Sequence, residues 1–163
     1  MTDRATLAWY CANAARYAQA FDGHSRHLDP FLDRLAPGVL ILELGCGSGR
    51  DARRMVERGF AVDPTDATPG LAAIARARFG LPARVMRFDE LDATDGYDAV
   101  WAHACLLHVA RIELPDVLAA IRRALRTGGW HFANYKLGDG EGRDPLGRLT
   151  NFADESWLDA TYR

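Results

Sequence analysis

The stretch Val39-Leu40-Ile41-Leu42-Glu43-Leu44-Gly45-Cys46-Gly47-Ser48-Gly49-Arg50-Asp51 decides how this chain folds. Its first four residues are apolar without alternation, the pattern of a parallel strand covered on both faces. Gly45 to Gly49 then makes a turn, and Asp51 to Arg58 continues as a helix that Gly59 stops. Glycines in such a turn permit positive φ and let a ligand approach the backbone closely. The helix beyond them offers unpaired N–H groups to an anion.

Working outward, the same alternation recurs. Toward the N-terminus, Leu7, Tyr10, Cys11, Ala14, Tyr17, Ala18 and Phe21 recur at helical spacing, and a second helix with Leu28, Phe31, Leu32 and Leu35 ends at Pro37-Gly38. Toward the C-terminus, Phe60-Ala61-Val62 is a short strand. Thr68-Pro69 opens a helix, with the threonine hydroxyl as its expected N-cap and proline in the first turn. Ala83 to Phe88 and Tyr97 to His103 are further strands. Leu114, Val117, Leu118, Ile121 and Leu125 mark a helix expected to end at Gly128-Gly129, and Trp130 to Tyr135 is a fifth strand. Leu137 to Leu149, with four glycines, reads as an irregular loop, and Asp154 to Ala160 begins another helix. Strand and helix alternate throughout, which calls for one α/β domain with an open, mostly parallel sheet and helices on both faces.

Composition narrows the partners. With 163 residues, 48% hydrophobic and 26% charged, the chain can bury a core as a single domain. Its 20 basic and 22 acidic residues leave a net charge of −2, which argues against a nucleic-acid partner. No apolar run approaches the length of a membrane span, and the N-terminus lacks the apolar core of a secretory signal. Cys11, Cys46 and Cys105 are too scattered for a disulfide framework or a zinc site, so a reduced cytoplasm is expected.

The glycine turn also discriminates between ligands. Arg50 stands where a dinucleotide fingerprint would have its third glycine, and Glu43 lies two residues before the first. A pyrophosphate is repelled by that carboxylate, whereas a cation is held by it. Asp66 follows Gly45 by 21 residues, where an acid accepts hydrogen bonds from ribose hydroxyls; Asp63 competes for the role but lies earlier on the strand.

Together, Glu43-Leu44-Gly45-Cys46-Gly47-Ser48-Gly49, Asp66, and Tyr97 to His103 followed by Leu106-Leu107-His108-Val109 resemble the class I S-adenosylmethionine-dependent methyltransferases, in particular their small bacterial members. The resemblance spans roughly residues 5 to 155. It implies a Rossmann-like fold, S-adenosyl-L-methionine as cofactor with S-adenosyl-L-homocysteine as product, and a small-molecule methyl acceptor. It places Gly45 and Gly47 against the methionine part of the cofactor, Glu43 at its ammonium, Asp66 at the ribose, and Asp89 and Glu90 at the adenine. Tyr17, on an N-terminal lid helix, reaches inward, and His103 faces the sulfonium and the acceptor. His103 is the candidate catalytic residue, with ligand contact favoured over base catalysis, since a base is needed only for a protonated acceptor. The rival functions are a nicotinamide-dependent oxidoreductase, a non-catalytic cofactor-binding module, and a nucleic-acid methyltransferase; the last lacks both a basic patch and an Asn-Pro-Pro-Tyr-type motif.

Other residues read more plainly. His108 is expected to be structural, and Cys46 and Cys105 to be small buried residues rather than nucleophiles. Arg50, Arg53 and Arg54 read as a solvated helix face. Lys136, Arg143 and Arg148 either meet an anionic acceptor or are solvated. Residues 1–36 are expected to form lid helices, 37–136 the cofactor-binding core, and 137–163 a loop and the start of a shortened C-terminal part. About five of the family's usual seven strands are then present. The fifth would be an open edge, with the chain a fragment or the edge covered by the long loop or by another copy in a homodimer.

Overall fold

A computed structural model describes residues 3–20 and 23–163; Phe21, expected on the first helical stripe, lies outside the described residues. The first strand, β1 (Leu40–Leu44), sits at the centre of a five-stranded parallel sheet. Around it lie β2 (Ala61–Asp66), β3 (Arg84–Val85), β4 (Tyr97–Ala102) and β5 (Leu125–Ala133), in the order β3-β2-β1-β4-β5. The order reverses at β1, so β1 and β4 are neighbours although two strands separate them in sequence. A crevice opens at such a point, at the carboxyl ends of the strands.

Both faces of the sheet are covered, which is why β1 shows no alternation. Leu42 and Leu44 join Val100 and Ala102 under α5 (Leu114–Ala124), whose Leu114, Val117 and Ile121 are buried. Ile41 joins Ala99 and Trp101 on the other face, under Leu28, Phe31 and Leu32 of α2 (Leu28–Leu32) and Met55 of α3 (Arg50–Glu57). Glu43 belongs to the same face as Ile41 by alternation, and its register partner on β4 is Trp101. The consequence is a carboxylate set beside a fully buried indole.

Several boundaries differ from the sequence reading. The second helix stops at Leu32, short of Leu35. Thr68 makes no hydroxyl cap on α4 (Pro69–Phe79); Asp66 instead accepts the Thr68 N–H at 2.7 Å. The third strand is two residues long, because Glu90 folds back to accept the Arg87 N–H at 2.8 Å and closes a short 3-10 turn over Phe88–Glu90. Gly128-Gly129 does not end α5. The helix passes directly into β5 at Leu125, and the two glycines lie at the irregularity in its pairing with β4.

The stretch expected as an irregular loop is partly ordered. β6 (Lys136–Leu137), β7 (Glu141–Arg143) and β8 (Leu149–Ala153) form a small second sheet in the order β6-β8-β7, followed by α6 (Glu155–Tyr162). This sheet is fastened to α1 (Arg4–Gln19) across most of the chain's length. Asp3 caps α1 by accepting the Thr6 N–H at 2.8 Å and also binds Arg143 through both carboxylate oxygens, at 2.6 and 2.8 Å. The Leu149 N–H donates to the Thr6 hydroxyl at 2.8 Å.

The guanidinium of Arg143 holds the Asp3 carboxyl well below the usual range. Its stabilising effect is therefore complete above the ordinary aspartate value near ~3.9 and fades only as pH falls below it. Replacing Asp3 with Ala removes a helix cap and an ion pair together. We expect a loss of about 1–2 kcal/mol in urea unfolding at pH 7, with faster amide exchange in the first turn of α1.

Candidate functional site

The turn after β1 is built by backbone constraint. Gly45, Gly47 and Gly49 all have positive φ, at 67°, 55° and 82°. A Cβ at Gly45 would stand 2.6 Å from the Cβ of Cys105, and one at Gly49 2.6 Å from Leu81 Cδ1 and 2.9 Å from Ala75 Cβ. The turn thus packs against the exit of β4 on one side and α4 on the other. Asp66, at the end of β2, holds it in place by accepting the Gly47 N–H at 2.8 Å. Its second oxygen takes the Thr68 N–H, so one carboxylate joins the turn to the start of α4.

Two hollows meet at this turn. A hollow of about 590 Å³, partly open to solvent, lies between Asp66, Thr68, Leu71 and Phe88 on the sheet side and Thr6, Leu7, Tyr10 and Tyr17 of α1 above. An open cleft of about 1570 Å³ lies on the other side, lined by Glu43, Ser48, Arg50, Asp51, His27 and Asn134 among others. Tyr17, Gly45, Gly47, His103 and Ala104 border both. The ring of Tyr17 is within 3.4 Å of where a Cβ of Gly47 would be, so α1 lies directly over the turn.

The electrostatics of the site are set by three buried acids, Glu43, Asp51 and Asp66. Asp51 accepts the Ser25 N–H at 2.7 Å and the Trp101 Nε1–H at 2.9 Å. Glu43 differs from both, because its Oε2 is buried without a hydrogen-bond partner. Burial, reinforced by Asp51 and Asp66, pushes the Glu43 carboxyl well above its ordinary value. Burial also raises Asp66 against the pull of its two backbone donors. An unpartnered buried carboxyl is costly to keep. A bound cation supplies what Glu43 lacks, whereas a pyrophosphate would add to the surplus of negative charge. A ligand bearing an ammonium and a sulfonium fits this donor set.

Comparison with known proteins agrees. The profile of the methyltransferase domain family matches residues 41–129, from within β1 into β5. The chain belongs to the class I S-adenosylmethionine-dependent methyltransferase family. A ubiquinone biosynthesis O-methyltransferase of Xanthomonas campestris pv. campestris is 34% identical over 116 residues, covering 64% of this chain and 46% of its own. The 1,6-didemethyltoxoflavin-N1-methyltransferase of Burkholderia thailandensis, solved with S-adenosylhomocysteine, superposes with a TM-score of 0.66 at 25% identity, over 94% of this chain and 69% of that one. A TehB-like S-adenosylmethionine-dependent methyltransferase of Corynebacterium glutamicum shares the fold, with a TM-score of 0.70 at 21% identity over 92% and 81%. The chain spans less than half the length of the first curated relatives it matches.

Within this family fold, Tyr17, Glu43, Gly45, Gly47, Asp66 and His103 border the two connected hollows. Asp89 and Glu90 do not. Both are exposed and engaged with Arg87, and their neighbour Phe88 faces the cavity instead. Asp63 is occupied by Arg84 and Tyr97, away from both hollows. Cys46 and Cys105 are buried, and burial pushes both thiols up, out of nucleophile range. Arg148 is not solvated; it donates to Tyr10 at 2.8 Å and pairs with Asp144. His108 lines the cavity while bonding to Tyr10 and to the Leu149 carbonyl. Among the described residues, no group of His, Cys, Asp and Glu could hold a metal ion.

Asp51 escaped the sequence reading, although it closes the very motif quoted first. The available signal was an acid in the first helical turn, next to a glycine turn that already carries Glu43. Gly45→Ala tests the packing of the turn, since it forces a methyl into Cys105 at an unfavourable φ. We expect it to lower stability by about 1–3 kcal/mol, read as a shift of the urea midpoint.

Proposed function

We propose that this protein transfers a methyl group from S-adenosylmethionine to a small-molecule acceptor. The observation that carries the reading is the unpartnered Glu43 oxygen beneath the glycine turn. Glu43 would hold the cofactor's ammonium, and Gly45 and Gly47 would let its methionine part approach the backbone. Each Asp66 oxygen already takes one backbone N–H and keeps acceptor capacity for a ribose hydroxyl. Phe88 would lie against the adenine, with Asp89 and Glu90 beside it at the rim, and Tyr17 would close over the site. When bound, the cofactor supplies an electrophilic methyl on a positively charged sulfur with a neutral leaving group. The protein then has to exclude water and align the acceptor behind that methyl. His103, at the exit of β4 and bordering both hollows, is the residue we assign to the acceptor as catalytic contact.

Three points about the whole molecule belong to the same reading. No helix among the described residues is long and apolar enough to cross a membrane. The three free cysteines suit a reducing compartment, the cytoplasm. β5 pairs with β4 alone in the main sheet, and a second copy of the chain would cover that edge; sedimentation velocity, showing a dimer, tests it.

Calorimetry tests the cofactor. S-adenosylhomocysteine is expected to bind and NADH not to; NADH binding alone would sink the proposal. Asp66→Asn should weaken S-adenosylhomocysteine by about ten- to a hundredfold, by losing charge-assisted hydrogen bonds. Burial raises the Glu43 carboxyl and an ammonium beside it favours the carboxylate, so affinity rises with pH toward and through the raised value, and below that value binding should release a proton. The heat of binding should then depend on the ionisation enthalpy of the buffer, and Glu43→Gln should abolish that dependence.

A further inference from the structure

The cleft beside the glycine turn holds a second arrangement, between Asp51 and His103. Asp51 Oδ2 lies 3.8 Å from Nδ1 of His103. Each carboxylate oxygen of Asp51 already accepts a hydrogen bond, from the Ser25 N–H and the Trp101 Nε1–H. Both Asp51 oxygens are thus turned toward N–H donors and act here as acceptors. Asp51 therefore favours a proton on Nδ1 of His103 and leaves the lone pair on Nε2, which has no hydrogen-bond partner among the described residues. The ring itself is held by packing. It lies 5.8 Å from the Trp101 ring at an interplanar angle of 21°, and Trp101 is stacked in turn on Phe132 at 4.2 Å.

We infer that Asp51 is a positioning residue that sets His103 as a proton acceptor, and that the methyl acceptor is a molecule presenting a hydroxyl group. The inference rests on the methyltransferase reading above. In the step it implies, an oxygen lone pair of the acceptor forms the new O–CH3 bond. The electron pair of the breaking C–S bond stays on sulfur, which becomes a neutral thioether. The hydroxyl proton passes to Nε2 of His103, and the resulting imidazolium faces the Asp51 carboxylate. The separation of 3.8 Å is longer than a hydrogen bond, as such contacts often are before substrate is bound. A nucleophile that arrives without a proton to lose would need neither residue.

The charges around His103 agree with that role. Burial lowers its pKa below the ordinary imidazole value, with His27 and Arg50 adding to the effect and Asp51 opposing it. Glu43 and Tyr17 border the same cleft. The imidazole is consequently neutral at pH 7 and able to take a proton, and that ability is lost as pH falls through its lowered value. Replacing Asp51 with Asn removes the one opposing charge, so the midpoint moves to still lower pH.

The test uses the full chain with 15N-labelled histidine and saturating S-adenosylhomocysteine. Long-range 1H–15N spectra report tautomer and titration for each imidazole, and His103→Gln assigns the signal. We expect a proton on Nδ1, and a midpoint that Asp51→Asn lowers. A proton on Nε2 instead, or an unchanged midpoint in the variant, would overturn the inference. So would a tenfold loss of S-adenosylhomocysteine affinity without a titration shift, which would make Asp51 a cofactor ligand. Were the variant not to fold, the tautomer of the wild-type protein still decides. If S-adenosylhomocysteine fails to bind the wild-type protein, the methyltransferase reading fails, which is a separate result. For the acceptor class, methyl-labelled S-adenosylmethionine is supplied with catechol or benzylamine as probes. Transfer to catechol oxygen, reduced about a hundredfold or more by His103→Gln, is expected; transfer confined to benzylamine nitrogen would overturn the hydroxyl assignment.

Discussion

The site depends on how one carboxylate, Asp66, spends its two oxygens. By accepting from Gly47 on one side and Thr68 on the other, it draws the turn after β1 against the start of α4. That closure needs glycine at 45, 47 and 49, because the backbone turns through positive φ at each, with Gly45 packed against Cys105 and Gly49 against Leu81 and Ala75. Beneath this turn the Oε2 of Glu43 has no hydrogen-bond partner. The gathering of acids in the crevice follows from which residues flank the turn. It is also what separates this crevice from one built for a pyrophosphate, where the same helix N-terminus would be met by an anion.

The β1–β4 pairing gives that charge a direction. Glu43 stands beside Trp101 in register, and Asp51, just past the turn, binds the Trp101 indole. Asp51 also fixes the Ser25 backbone, which lies two residues before His27. A single side chain thus connects α3, β4 and the segment leading into α2, three elements with little sequence proximity. His103 is the end of the aromatic stack formed on that connection, with Trp101 and Phe132 beneath it. Rigid stacking is how an imbedded scaffold keeps a polar ring aimed at a cleft.

The core of this architecture was legible because its signals are local. The unalternating run Leu40–Leu42 announced a strand covered on both faces, and the glycines with Glu43 announced both the turn and the sign of its ligand. What was not legible depends on contacts distant in sequence. Gly128-Gly129 looked like a helix stop, but close approach to the Asp98 carbonyl makes Gly129 part of a strand irregularity. That Asp89 and Glu90 both pair with Arg87, while their neighbour Phe88 lines the cavity, shows only in the folded 3-10 turn. The stretch 137–149 looked structureless because its strands are only two to five residues long and too glycine-rich to show a period. Asp51 was invisible as a functional residue since its meaning lies in Trp101, fifty residues away.

The small second sheet explains why α1 is where it is. α1 has only a weak apolar face of its own, with Thr6 and Ala18 its buried residues. Its position comes instead from polar clamps at one end and close packing at the other. Arg143 on Asp3, and Arg148 on Tyr10, join it to the second sheet, while Ala14 meets Gly70 of α4. The clamp continues inward. The His108 Nδ1 lies 2.6 Å from the Leu149 carbonyl, which fixes the ring proton there and leaves Nε2 to accept from the Tyr10 hydroxyl at 3.1 Å. Tyr10 then packs edge-on to Tyr17 at 5.2 Å, and Tyr17 covers the glycine turn. α1 is thus tied to the second sheet through polar contacts and to the glycine turn through its aromatic rings, so the same helix connects the two.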